Sequence, residues 1–505
     1  MLRKMQGRSS GLRWQEVPRG RGVTLIIAAV ALSCVVVGPA HAEDLLSQQS
    51  FTRIREAAMH SGYAHHELRT LAKGIGARLS GSPQAREAQR QIADSMRALG
   101  LQVSTLSVSV PHWVPGQASA ALVEFPGQPE GQDPKIRNRD LVVAALGNSP
   151  STPAEGLTAP VLVVHSFDEL NRDAAKVRGR IVVFDTPFEQ FLADNGYAPT
   201  AYARAVRYRL HGPARAAQLG AVAALVRSAA GGKSRVAHTG ATIWPAGSRK
   251  IPSVGLATAD ADMIAELAAK GEVEVHLTLS SRNLAPETGA DVIGDLPGTE
   301  HPEQFVIVSG HYDSWYLGEG AQDDACGVAV ALGVAAVFQQ LDLHPRRTLR
   351  FVAWANEENG LSGAQGYAKA MAPALPQHVA AIENDMGAGR PLGIAAQIAT
   401  PSASLLGVVF DALEPIGVTL LTRSHTPVAG DLAPLNQAGV PGFAPLVDTR
   451  RYFDLHHSAA DTLDTIDPDN LRRQVALEAV LAWWLANADP LPRLPKPDGS
   501  GFASN

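Results

Sequence analysis

The chain has 505 residues, too many for one ordinary core, and its 45% hydrophobic and 18% charged content is that of a folded globular protein. The net charge is −5; the first 42 residues hold six Lys/Arg and one Glu, so the remainder carries −10, which argues against nucleic acid as a partner.

The N-terminus is basic (Arg3, Lys4, Arg8, Arg13, Arg19, Arg21) and is followed by an apolar run over 23–37. Gly38-Pro39 breaks the run, and Ala40-His41-Ala42 has the small-x-small form of a cleavage site. This three-part layout predicts a signal peptide over 1–42 and an exported protein, periplasmic or secreted. The run is about 15 residues, short of the roughly 20 that span a bilayer, so an uncleaved anchor is the weaker reading. No other apolar run of that kind stands out, and no stable membrane insertion is expected once the leader is removed. Of the two cysteines only Cys326 lies beyond it, so no internal disulfide is expected in the processed monomer.

Residues 43–125 read as helix, then strand. Ala88, Ile92, Met96 and Leu99 recur at helical spacing after Pro83; Gly100 stops the helix and a strand starts at 101. Over 126–283 the pattern changes to short β-rich runs at 141–143, 161–164, 180–184 and 223–226, with a helix at 213–219 and an alternating strand at 272–277. The segment shows no metal-ligand cluster and is expected to be a separate inserted domain. From 284 to 495 strands (305–308, 349–354) alternate with helices (325–340, 361–371), which predicts an α/β fold, a mostly parallel sheet flanked by helices. Residues 496–505 read as a tail.

The chemistry gathers after the buried strands of this last segment. Strand 305–308 runs into Ser309-Gly310-His311-Tyr312-Asp313, strand 349–354 into Glu357-Glu358, and the run at 379–382 into Glu383-Asn384-Asp385. Gln322-Asp323-Asp324 opens a helix, and His456-His457 with Asp461 lies near the end. In open α/β sheets the C-terminal strand ends form the site, so these groups are expected to converge. A mixed His and carboxylate set suits zinc with open positions. Two zinc ions need a shared carboxylate, and Asp323 fits; His311 and Asp385 would complete one position, Glu358 and His457 the other. Asp313 is expected to orient the His311 imidazole. On a strand end adjacent Glu357 and Glu358 would diverge, leaving Glu357 free as general base. Each feature alone is unspecific: a Glu-Glu pair is usually a solvated patch, and a His-His pair a loop.

Together these runs resemble the co-catalytic zinc peptidases that include bacterial leucyl aminopeptidases, glutamate carboxypeptidase and carboxypeptidase Q, with the closest likeness to the last. Arg78-Leu79-Ser80-Gly81-Ser82, Gly430-Asp431 and Ala438-Gly439-Val440-Pro441-Gly442 extend the likeness over nearly all of the chain beyond the leader. The resemblance implies zinc on His311, Asp323, Glu358, Asp385 and His457, with Glu357 as base. His457 is preferred to His456 because Ser458 follows it and Asp461 stands four residues on. It also implies that 126–283 is a protease-associated domain. Cys326 departs from the pattern, occupying a turn often filled by Gly or Ser. Tyr312, Trp315, Tyr316, His425, Asp431 and Tyr452 are candidate pocket residues. The expected activity is hydrolysis of terminal peptide bonds in short peptides or dipeptides, with two zinc ions per chain; a homodimer is compatible with it. A one-zinc glutaminyl cyclase-like acyltransferase, a catalytically dead binding relative and a dizinc hydrolase of non-peptide amides are the competing readings.

Overall fold

The computed structural model describes residues 45–495 except 131–132, 233 and 400–402. The expected leader and C-terminal tail lie outside the described residues.

The main sheet has eight strands, in the spatial order Gln102–Val110, Glu287–Leu296, Arg347–Trp354, His301–His311, His378–Glu383, Gly442–Val447, Pro391–Gln397 and Leu420–Arg423. Its centre is parallel: His301–His311 pairs in parallel with both Arg347–Trp354 and His378–Glu383, and the latter with Gly442–Val447. Antiparallel pairs flank this centre, so the sheet is mixed α/β. Alternation along the central strand sends Val306 and Val308 to one face, against Cys326–Gln340 and Pro468–Asn487, and Ile307 to the other, against Tyr367 and Leu432. Both faces are covered, which is why these strands read as unbroken apolar runs. Against the expectation of no further long apolar run, the helical stretch Ala321–Gln340 is apolar and long enough to cross a bilayer, but it is wholly buried inside the protein.

A second eight-stranded sheet runs in the order Arg139–Leu141, Ala118–Glu124, Glu274–Leu279, Leu157–Val164, Ile181–Phe184, Ala223–Arg227, Ser253–Leu256 and Val143–Ala145. Ala118–Glu124 belongs here, paired with Glu274–Leu279, so the expected boundary at 126 falls between two strands of one sheet. The run at 141–143 is not one strand. Val142 donates its N–H to Asp260 Oδ2 at 2.6 Å, and its neighbours join opposite edges of the sheet. Because those edges are linked through a single residue, the sheet must curl until they meet. The helix expected at 213–219 is longer, Ala198–Gln218, with Pro213 inside it.

Candidate metal centre

Three loops leave the C-terminal ends of neighbouring parallel strands and bring their polar side chains together. His311 ends its strand, Asp385 follows His378–Glu383, and Glu358 follows Arg347–Trp354. Glu357 and Glu358 lie in the turn beyond the strand, after Asn356 at φ +60°, so the turn and not the pleat separates them. Asp323 comes from the short helical turn Ala321–Ala325 that precedes Cys326–Gln340.

Asp323 is the centre of the cluster. Its Oδ1 lies 3.3 Å from His311 Nε2, which is also 3.3 Å from Asp385 Oδ1. Its Oδ2 lies 3.1 Å from His457 Nε2, which is 2.8 Å from Glu358 Oε2. His456 Nε2 also reaches Asp323 Oδ2, at 3.3 Å, and its ring stacks on His457 at 3.6 Å between centroids. Among the described residues, His311, Asp323 and Asp385 form one group of converging donor atoms, and Asp323, His456 and His457 another. His311 and Asp323 are buried, while the Asp385 side chain keeps 18% exposure and marks the open side.

The surroundings hold these groups in place. His311 Nδ1 is 3.0 Å from the Asp313 carbonyl, an acceptor for its proton, so the backbone of Asp313, more than its carboxylate at 3.7 Å, orients the ring. The Asp313 carboxylate instead accepts from Ser80 Oγ at 2.8 Å and from the Glu357 N–H at 3.0 Å. Asp461 accepts from the N–H groups of Gln322 (2.6 Å) and Asp323 (3.2 Å) and so pins the Asp323 turn. Arg78, fully buried, donates to the carbonyls of Tyr312, Glu319 and Gly320, fixing the loop between His311 and Asp323. The Trp315 indole donates to Glu358 Oε2 at 2.6 Å.

The electrostatics are those of crowded acids. Burial, reinforced by Asp385, pushes the Glu357 carboxyl well above the usual carboxylate range, and burial with Asp323 raises Glu358 to about 7. Burial works against ionised Asp323 too, but the imidazoles of His456, His311 and His457 outweigh it and hold its carboxyl low. Asp323 Oδ2 and Glu358 Oε1 are buried without a hydrogen bond. So many buried acids against so few cations cannot all ionise unaided, and a divalent cation would offset their charge. The donor set of imidazole nitrogens and carboxylate oxygens is the one zinc takes.

Other expected positions resolve differently. Tyr312 is core: it is buried and its hydroxyl donates to the Ala290 carbonyl. Tyr316 donates to the Ala145 carbonyl, and His425 is exposed in the turn after Leu420–Arg423. Tyr452 packs on His456, with 5.2 Å between centroids. Asp431 is fully buried, neither of its carboxylate oxygens is hydrogen-bonded, and burial followed by Glu383 and Glu357 holds it well above its ordinary range. Glu383, expected at this edge but given no role, belongs to the acid cluster and accepts from the Leu432 N–H at 3.1 Å. The sequence reading missed Tyr202, Arg209, His238 and Thr239, which reach His456 and His457 from the second-sheet segment. A roomier cleft lined by Glu303, His378 and Arg493 lies at the opposite end of His378–Glu383, away from this chemistry.

A buried His and carboxylate cluster at the C-terminal edge of a parallel sheet marks a metal-dependent hydrolase. The model of Peptidase family M28 matches residues 291–482. Carboxypeptidase Q from Bos taurus is 32% identical over 470 residues, covering 88% of this chain and 94% of that protein. The Homo sapiens carboxypeptidase Q is 34% identical, covering 85% and 87%. Among solved structures, a Peptidase M28 precursor from Shewanella amazonensis matches at TM-score 0.83 and 32% identity, covering 90% of this chain and all of that one. A Bacillus subtilis zinc aminopeptidase shares the fold at TM-score 0.59 and 21% identity, over 83% and 94%. The chain belongs to peptidase family M28 and is a metallo-exopeptidase, a hydrolase.

Proposed function

We propose that the chain is an exported exopeptidase that holds two zinc ions and cleaves terminal bonds of short peptides or dipeptides, with Glu357 as its general base. The observation that carries this reading is Asp323: its two oxygens face two separate groups, His311 with Asp385 and His457 with Glu358. A shared carboxylate between two such groups is what a two-metal site requires. His457 is preferred to His456 as the fifth donor because its Nε2 meets both Asp323 and Glu358, whereas His456 meets Asp323 alone. Bound zinc would supply Lewis acidity, activating water and polarising the scissile carbonyl.

The protein's part is proton handling and orientation. Glu357 is held at its backbone by Asp313, and its Oε1 lies where a Cβ at position 430 would meet it. It takes a proton from the attacking water as the new C–O bond forms, and returns it to the leaving amine as the C–N bond breaks. Buried Asp461 and Asp313 keep the Asp323 turn and Glu357 in register throughout. Export is supported by the basic, apolar, Ala40-His41-Ala42 layout and by the precursor description of the Shewanella amazonensis relative.

A panel of free, N-blocked and C-blocked dipeptides, assayed with zinc present, tests the activity. Cleavage of free dipeptides with two zinc ions per chain supports the reading; a single zinc with cyclisation of N-terminal glutamine would place the chain with the acyltransferases. N-terminal sequencing of the protein from its native envelope should start at or near Glu43, and retention of 1–42 would refute export.

A further inference from the structure

The second-sheet segment carries none of the five proposed zinc donors, yet it closes on one half of the site. Arg209, on helix Ala198–Gln218, places Nη1 3.1 Å from His457 Nδ1 and donates to the Thr239 carbonyl at 3.1 Å. That same carbonyl lies 3.3 Å from His457 Nδ1. The Thr239 N–H donates to the His457 carbonyl at 2.9 Å, and His238 Nδ1 lies 2.6 Å from the His456 carbonyl. His457 has φ +61°, a conformation that costs a non-glycine residue and persists only where its surroundings hold it. Arg209 is itself built in. It is 9% exposed, and its guanidinium occupies the space that a side chain at Gly240 would fill.

Glu358 is held from the same direction. The Trp315 indole that donates to it is anchored in the second core, edge-on to Trp113 at 6.1 Å and seated over Gly147, where a Cβ would collide with the ring. On the other half, Met386 beside Asp385 packs against the Phe188 cluster of that segment, but among the described residues no hydrogen bond from the segment reaches His311, Asp313 or Asp385. His311 is oriented by the Asp313 carbonyl, Asp313 by Ser80, and Asp385 by the end of a main-sheet strand.

We infer that the second-sheet segment selectively sets the affinity of one metal position, that of Glu358 and His457, and that Arg209 is the positioning residue through which it does so. The inference rests on the two-zinc reading above. A guanidinium only donates and stays charged, so Arg209 cannot itself be a ligand to a cation. What it does is fix the Thr239 carbonyl. With Nε2 turned to a cation, the neutral His457 ring carries its proton on Nδ1; that N–H and Arg209 Nη1 are then both donors that share the Thr239 carbonyl, and this common acceptor sets the ring's angle. Loss of such a partner typically weakens a metal site about 10- to 100-fold.

The test is Arg209→Met, which keeps the length of the stem and removes the donors, beside Trp315→Phe and Ser80→Ala. Zinc occupancy at each position is read by anomalous diffraction from crystals equilibrated against graded chelator, and by solution chelator competition. Arg209→Met and Trp315→Phe should each weaken the Glu358/His457 position by about 10- to 100-fold while the His311/Asp385 position keeps its wild-type affinity. Ser80→Ala should leave the Glu358/His457 position unchanged. Arg209→Lys, which restores one donor, should recover part of the loss. Equal weakening at both positions, or wild-type affinity at both in folded Arg209→Met, overturns the inference. If wild type binds a single zinc, the two-zinc reading fails. The inference then survives only if that ion sits by Glu358 and His457 and is weakened by Arg209→Met.

Discussion

Glu357→Gln separates proton transfer from metal binding. The substitution keeps the length of the side chain and leaves the backbone N–H bond to Asp313 untouched. Glu357 has no contact with His311, Asp323 or His457 comparable to the 2.8 Å approach of Glu358 to His457. The lost function is therefore acceptance of the water's proton, which a positioned base typically makes about 10²- to 10⁴-fold faster. On a logarithmic scale that is about 2.7–5.4 kcal/mol of barrier. Turnover of a dipeptide should fall by that factor while zinc per chain and KM stay near wild type. Glu358→Gln should behave otherwise, because it removes a charged donor that also accepts from Trp315, and zinc content should drop. Both variants are measured for kcat, KM and zinc by mass spectrometry. Zinc loss in Glu357→Gln with retention in Glu358→Gln would reverse the roles, and unchanged hydrolysis in both would refute this site.

Asp323→Ala removes the carboxylate that, among the described residues, faces both groups, so zinc should fall well below two per chain; unchanged content places the bridge elsewhere. Gly430→Ala puts a methyl group into the space of Glu357 Oε1, and a displaced base should lower kcat by up to about 10²-fold with zinc content intact; wild-type kcat would show that Glu357 has other room. Glu478 is fully buried, and burial lifts its carboxyl to about 8, above the roughly 4.3 of an unfolded chain. The folded state therefore keeps this proton longer than the unfolded state, and the linked stability is lost as pH rises between those values. The amide introduced by Glu478→Gln cannot titrate, so the unfolding free energy of that variant relative to wild type should increase with pH by at most about 1.4 kcal/mol per unit over that window; a difference that is flat in pH refutes the assignment.

Much of the site was legible because its parts are local. A buried parallel strand must end in a loop, and the residues just after such strands face one edge; His311, Glu357-Glu358 and Asp385 could be placed by that rule alone. The same reasoning, applied more strictly, would have removed Tyr312 from the pocket. It stands between His311 and Asp313 in an extended run, so its side chain turns the other way, into the core. What the sequence by itself determined is thus the α/β alternation, the main-sheet strands and the polar groups at their ends, since each follows from short-range periodicity and burial.

Tertiary structure decided the rest. Ala118–Glu124 has the same alternating pattern as any half-buried strand, and only pairing with Glu274–Leu279 assigns it to the second sheet. Arg209 meets His457 across 248 positions of chain, from a helix with no motif around it. No local pattern encodes such a contact, because it exists only where the second-sheet segment packs against the loop that carries His457.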